Sequence, residues 1–350
     1  MGGHGSLMKS VAKYLSAAAF AVGILGPASA QQPATLKVMT FGGTLGTGFV
    51  KGVEGFEAAN NVKIQFIEAT PAQALNRLLA RVGQEPEYDL VTMSPAAHFQ
   101  GVQANMWDEV TVKDVPNVAD LLPVAYEQRK YVGWGTLAYG FMVNTDALKK
   151  AGAPVPSKWT DLWNPAYKGR ISIEDFANSY GQAFLEAIYE IKGRNFDAAF
   201  KSLKDLRPNI ASFTFSPAEV DNHLLQGETW ISPTSNARAS LLRNKGAPVS
   251  FIYPSDGAGA WLVYLDVPKG TPRRNLAMKF LDFVLSPAVQ AKLAVTAQMG
   301  PVNTKVKLPA ETARGLAYGE VTSRLRTIRW DVIQLNLNEL SNRWMSEFQN

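Results

Sequence analysis

Few residues in this chain are placed to do bond-making chemistry. Of three histidines, His4 lies ahead of the segment read below as an export signal. His98 and His223 stand without a second histidine or a carboxylate at metal-ligand spacing. Cysteine is absent, which excludes disulfides and thiolate nucleophiles or metal ligands. There is no G-x-S-x-G elbow and no GxxxxGK[ST] loop. The stretch TFGGTLGTG (residues 40–48) lacks the lysine of a phosphate loop and the glycine order of a dinucleotide fingerprint. What it offers is backbone N–H groups with little side chain around them. In open α/β sheets ligands bind beyond the carboxyl ends of strands, where helix N-termini present free donors. Gly43 and Thr44 fall at such a place, as does Ser94 after YDLVTM. Ser94 serves there as a plain N-cap, as a ligand donor, or as both.

Positioning these residues requires strands followed by helices. TLKVMTF, VKIQFIEA and YDLVTM read as strands, with helical patterns in GFVKGVEGFEAAN and PAQALNRLLARV between them. This order predicts a parallel sheet. Further helices are expected at 179–192, 196–206, 217–226 and 235–245, with short strands near 210–215, 228–232 and 249–253. AWLVYLDVPKG reads as a strand, the two segments after it as helices, and 323–349 as mostly helical. Asn144 or Thr145 is the expected cap of the helix after GTLAYGFMV. The fold class is α/β.

The chain has 350 residues, room for two cores. Hydrophobic residues make up 46% and charged residues 19%, a globular balance. Residues 1–30 read as a secretory signal behind seven extra residues: Lys9 and Lys13, an apolar stretch from Tyr14 to Leu25, then Pro27 and ASA ending at Ala30. Cleavage there lowers the formal charge from +5 to +3. No run of five basic residues marks a nucleic-acid stripe. The expected location is the periplasm.

Four stretches carry a resemblance: YDLVTMSPAAHFQGVQANMW, VGWGTLAYGFMVNTDAL, WTDLWNPAYKGRISIED and GAGAWLVYLDVPKGT with NLAMKFLDFVLSP. The chain resembles the periplasmic solute-binding proteins of ABC importers, in the branch that binds polyamines (spermidine and putrescine). The resemblance implies a type II-like fold of two α/β lobes, each a mixed sheet flanked by helices, that close on a ligand. Lobe one would comprise 31–140 and 262–305, lobe two 141–261 and 306–350, with crossings near 135–143, 257–262 and 303–308. It implies a small-molecule ligand, no catalysis and no cofactor. It also implies delivery by a monomer to an inner-membrane permease with cytoplasmic ATPase subunits. A secreted α/β hydrolase is the lesser expectation, for want of a nucleophile–base pair.

Site residues carried over from the resemblance are Trp261 at the hinge, Asp175 as the lobe-two acid, Gly43, Thr44 and Ser94 in the first lobe, and Trp134 and Tyr139 flanking the first crossing. Departures are also visible. Val263 stands where the family has a second acid, Ser235 replaces a cage tryptophan, and Met299 or its neighbour replaces an aromatic. Arg238 is a new charge in a helix's first turn. It grips a ligand carboxylate, points to solvent, or pairs with Asp175. The expected ligand bears a carboxylate, an amine or both; a polyamine is the alternative.

Overall fold

The computed structural model describes residues 33–349, so the expected signal segment lies outside the described residues. A largely apolar stretch becomes the organising strand. Residues Tyr131–Asn144 form a strand of fourteen residues, almost all buried. At about 3.3 Å per residue it reaches roughly 45 Å, far beyond an ordinary strand.

Eleven strands occur among the described residues: β1 (Ala34–Thr40), β2 (Val62–Glu68), β3 (Leu90–Met93), β4 (Tyr126–Glu127), β5 (Tyr131–Asn144), β6 (Ile171–Glu174), β7 (Ile210–Thr214), β8 (Ile231–Ser235), β9 (Val249–Ile252), β10 (Gly259–Asp266) and β11 (Arg326–Thr327). The sheet order is β2-β1-β3-β10-β5-β8-β6-β7, with β11 on β10 and both β4 and β9 on β5. β1 pairs parallel with β2 and β3, as the strand–helix alternation predicts. β6 pairs parallel with β7 and β8 in the other half. Between these halves β10 and β5 run antiparallel to each other; β10 is also antiparallel to β3, and β5 to β8. All eight residues of β10 are buried, as expected of a central strand covered on both faces.

Trp134 interrupts the β5–β10 register. Val263 faces Gly135 and Tyr264 faces Gly133, which leaves Trp134 as the extra residue of a bulge. Its ring packs on Phe49 at 4.8 Å between centroids.

The glycine-rich stretch is not a loop. Its helix begins at Gly43 and runs to Gly52, although glycine is a poor helix former. Packing supplies the reason. A Cβ on Gly48 would lie 2.2 Å from the Thr296 carbonyl oxygen and 2.7 Å from Ala297 Cα. The glycine thus lets this helix press onto the end of helix Pro287–Thr296. Gly43, at φ +69°, faces open space instead.

Asn144 proves to be the helix cap, its side chain accepting from the Ala147 N–H at 2.9 Å. The tail, read as mostly helical, contributes strand β11 before helices Trp330–Leu335 and Leu337–Trp344. No helix among the described residues is long and apolar enough to cross a membrane. We expect Gly48→Ala to lower the unfolding free energy by about 1–3 kcal/mol, the usual penalty for overpacking. Urea denaturation checks this; an unchanged midpoint would refute the contact.

Candidate functional site

Four rings meet where β5 and β10 cross the middle of the sheet. Trp261 of β10 lies opposite Leu137 of β5, and Tyr139 of β5 lies opposite Gly259 and Ser235. Tyr180 comes from the first turn of helix Ser179–Ile191, and Trp330 opens helix Trp330–Leu335. Tyr180 stacks on Trp261 with centroids 4.7 Å apart and an interplanar angle of 24°. Trp330 meets Trp261 edge-on at 5.1 Å, and Tyr139 lies 6.1 Å from it. Trp261 is 8% exposed, Trp330 2% and Tyr139 0%, while Tyr180 is half-buried.

Hydrogen bonds fix the phenols. Tyr139 donates to the Tyr180 carbonyl at 2.7 Å, and Tyr180 donates to Ser235 Oγ at 3.0 Å. Burial holds both phenols above their ordinary range, Tyr139 well above. Both therefore stay neutral donors at any physiological pH. Ser235 caps helix Asn236–Asn244, accepting from the Arg238 N–H at 3.4 Å.

Beside the rings lies a charge cluster drawn from the end of β6 and from helices Pro217–Leu225 and Asn236–Asn244. Arg238 donates from Nη1 to Glu174 Oε1 at 2.9 Å and from Nε to Asp221 Oδ1 at 2.8 Å. Sequence reasoning left Arg238 to a ligand, to solvent or to Asp175; the geometry gives it Glu174 and Asp221. Asn178 also donates to Glu174 Oε2, at 3.4 Å, and to the Phe215 carbonyl at 2.9 Å. The Glu174 side chain is 2% exposed and that of Arg238 12%. Burial raises the pKa of Glu174, and Arg238 opposes that rise. Two acidic side chains thus share one guanidinium.

The structure thus joins Tyr139, Ser235, Arg238 and Trp261. It sets other expected residues apart from them. Asp175 is buried: its carboxylate accepts from Trp344 Nε1 at 3.0 Å and from Gln349, and from the Ala177 N–H at 2.9 Å. Trp134 is 1% exposed and sits against Phe49; Met299 is 3% exposed, its side chain against Gly135. Gly43 and Thr44 are exposed at a helix start. Ser94 is half-buried at another, its hydroxyl making no capping bond. His98, which sequence spacing left alone, pairs with Asp266 at 2.8 Å across 168 residues. Its ring lies flat on Tyr264 at 3.7 Å.

Sequence reasoning did not name Tyr180, Trp330, Glu174 or Asp221. Period-two alternation in ISIE does place Ser172 and Glu174 on one face, a signal that could have found Glu174. No local signal pairs Asp221 with Arg238.

Two links run from helix Ser179–Ile191 toward the crossing strands and the other half of the sheet. Glu186, fully buried, accepts both Arg326 Nη1 and Nη2 at 2.7 Å and the Arg329 N–H at 3.0 Å. Gln334 donates to Gln182 and accepts from Gln100, each at 3.1 Å. A cavity of about 390 Å³ opens beside this amide chain, lined by Gln100, Gln103, Gln334, Asn336 and their neighbours.

The pH behaviour of Glu174 gives a test. Its folded pKa lies above its ordinary value, so the folded state holds the proton more tightly there. Stability contributed by this group is present at low pH and is lost as pH rises from about 4.5 through the folded pKa. Wild type should therefore lose stability relative to Glu174→Gln between pH 5 and pH 7, measured by urea unfolding at both values. A difference that grows in the opposite sense would show that Arg238 outweighs burial.

Comparison with known proteins places the fold. The profile described as bacterial extracellular solute-binding protein matches residues 51–318. The spermidine/putrescine-binding periplasmic protein of Escherichia coli is 31% identical over 168 residues, 47% of this chain and 46% of that protein. The chain thus spans about half the length of the first curated relatives it matches. The γ-aminobutyric acid-binding protein of Pseudomonas aeruginosa is 24% identical over 293 residues, 80% of this chain and 81% of that one. A crystal structure described as an ABC transporter from Clostridium perfringens superposes with TM-score 0.78 at 25% identity, covering 88% of this chain and 98% of that one. With more than half of its length matched by the family profile and the same architecture in a solved relative, the chain belongs to the bacterial extracellular solute-binding protein family.

Proposed function

We propose that this protein captures a small amine-bearing solute by closing two lobes on it and delivers it to a membrane permease of an ABC importer. The observation that carries this is the junction of aromatic rings and charges at the centre of the sheet. There, two crossing strands are the pieces able to couple two halves. The lobes are 31–140 with 262–305 and 141–261 with 306–350, and the protein acts as a monomer in the periplasm once its signal is removed. Its role is binding, without bond-making. Closure works because solute contacts made from both halves exist only in the closed form and shift the hinge equilibrium toward it.

The solute is amino-acid-like on this reading. Its ammonium packs against the rings, where cation–π attraction operates. Its carboxylate competes for Arg238, whose fork suits a bidentate partner. That competition is uphill, since Glu174 and Asp221 already hold the guanidinium. The two acids of the same cluster favour the second reading, a polyamine. Gly43, Thr44, Ser94 and Ser235 complete the shell in either case, with Trp261 part of the ring cluster. The relatives named for γ-aminobutyric acid and for spermidine and putrescine span the same two chemistries.

A thermal-shift screen against γ-aminobutyrate, putrescine, spermidine and succinate decides the ligand class. A binder at 100 times its dissociation constant adds about 2.7 kcal/mol. We expect γ-aminobutyrate to raise the Tm and succinate not to. Calorimetric titration of Arg238→Ala then separates the readings. Loss of a γ-amino acid by about 2–5 kcal/mol supports the carboxylate grip; unchanged or tighter diamine binding supports the polyamine reading. A protein stabilised by none of the four would refute both.

A further inference from the structure

Resemblance alone makes Trp261 the ring that touches the solute, but its surroundings leave it little face to offer. Tyr180 covers one face at 4.7 Å between centroids, and Trp330 approaches at 5.1 Å from the side. Two rings stacked that closely leave no space for an ammonium group between them. Of the four rings at the junction, Tyr180 is the one that is half-buried, the others being 8% exposed or less. A solute approaching the cluster thus meets Tyr180 first.

Three further features fit Tyr180 to this part. It stands in the first turn of helix Ser179–Ile191, so its backbone is fixed by that helix. Its carbonyl accepts from Tyr139 and its hydroxyl donates to Ser235, which locks the ring plane. Arg238 bears electrostatically on its phenol, and Glu174 and Asp221 oppose it, so the ring stands beside the charge cluster described above. An aromatic ring backed by an indole offers its remaining face to a cation.

We propose that Tyr180 is the specificity-determining ring of the solute site, holding the solute's alkylammonium group on its outer face, with Trp261 as its backing rather than the contact itself. This rests on the solute-binding reading above and deepens it. The phenol's bond to Ser235 also ties the ring to the cap of the helix that carries Arg238, so both ends of an amino-acid-like solute are read by one connected unit.

The test uses the full chain without its signal and titrates γ-aminobutyrate and putrescine by calorimetry. Tyr180→Leu should weaken whichever probe the wild type binds by about tenfold, the size of a partly desolvated cation–π contact. Tyr180→Phe should stay within about threefold, and Trp261→Phe, which preserves a stacked backing, should lose less than Tyr180→Leu. Phenylalanines of increasing fluorination placed at 180 keep the shape while draining the ring face of charge; affinity should fall stepwise along that series. This series also decides the matter should Tyr180→Leu not fold. Tighter binding by Tyr180→Leu would make the ring a plug over Trp261 and overturn the proposal. So would affinity indifferent to fluorination, or a larger loss from Trp261→Phe. If the wild type binds neither probe, the solute-binding reading for amines fails and takes this assignment with it. A binding wild type with an indifferent Tyr180 overturns the assignment alone.

Discussion

The antiparallel pairing of β5 with β10 is the constraint from which the rest follows. These two strands connect the parallel half β2-β1-β3 to the parallel half β8-β6-β7. Their pairing runs from Gly259 opposite Tyr139 to Tyr264 opposite Gly133, and it fixes where Trp261 and Tyr139 stand. A slip of one residue would turn every side chain to the opposite face, which would remove both rings from the junction. The register is pinned at one end by the Trp134 bulge and at the other by the small residues Gly259, Ala260 and Ala138. Gly259 admits the Ile328 side chain at 2.6 Å from where a Cβ would stand.

Glu186 transmits that constraint outward. One buried carboxylate holds the Arg326 guanidinium in a bidentate grip and also the Arg329 N–H. Arg326 belongs to β11, paired with β10 at Gly259, and Trp330 follows directly after Arg329. The position of the Trp330 ring against Trp261 is therefore set by an ion pair on a helix from the other half. Burial pushes the Glu186 pKa up, and Arg326 opposes this most strongly. Such a pair contributes little net stability, yet losing one partner leaves an uncompensated buried charge, a penalty on the order of 3–5 kcal/mol. It acts as a positioning device.

Much of this frame was legible in the sequence, because long apolar runs and period-two alternation report burial directly. The helix at 196–206 and the parallel order of the first three strands came from pattern alone. The start of the helix at Gly43 was not legible, since its cause is the backbone of Thr296 and Ala297, some 250 residues away. Trp134 and Trp261 look alike in sequence, and a one-residue bulge sends one to the core beside Phe49 and the other to the junction. The acids at 174 and 175 are adjacent, and the strand's last residue turns one toward Arg238 and the other toward Trp344. These decisions rest on tertiary neighbours, which local pattern does not encode.

On the proposed reading of this junction as the solute site, the separation between frame and charge explains how ligand preference can vary on one scaffold. Trp261 and Tyr139 sit within strands, where any change disturbs the pairing that both halves depend on. Glu174, Asp221 and Arg238 come instead from a strand end and two helices of one half. Exchanging an acid for a base at those places alters the sign of the site without touching β5 or β10. Val263 inside β10 is apolar and 4% exposed, so the crossing strand carries no charge at that place. Arg238 holds Glu174 at 2.9 Å and Asp221 at 2.8 Å, so replacing the arginine takes a partner from both acids at once. On the proposed reading, ligand preference therefore changes at the charge cluster, while Trp261 and Tyr139 stay with the strands that hold them.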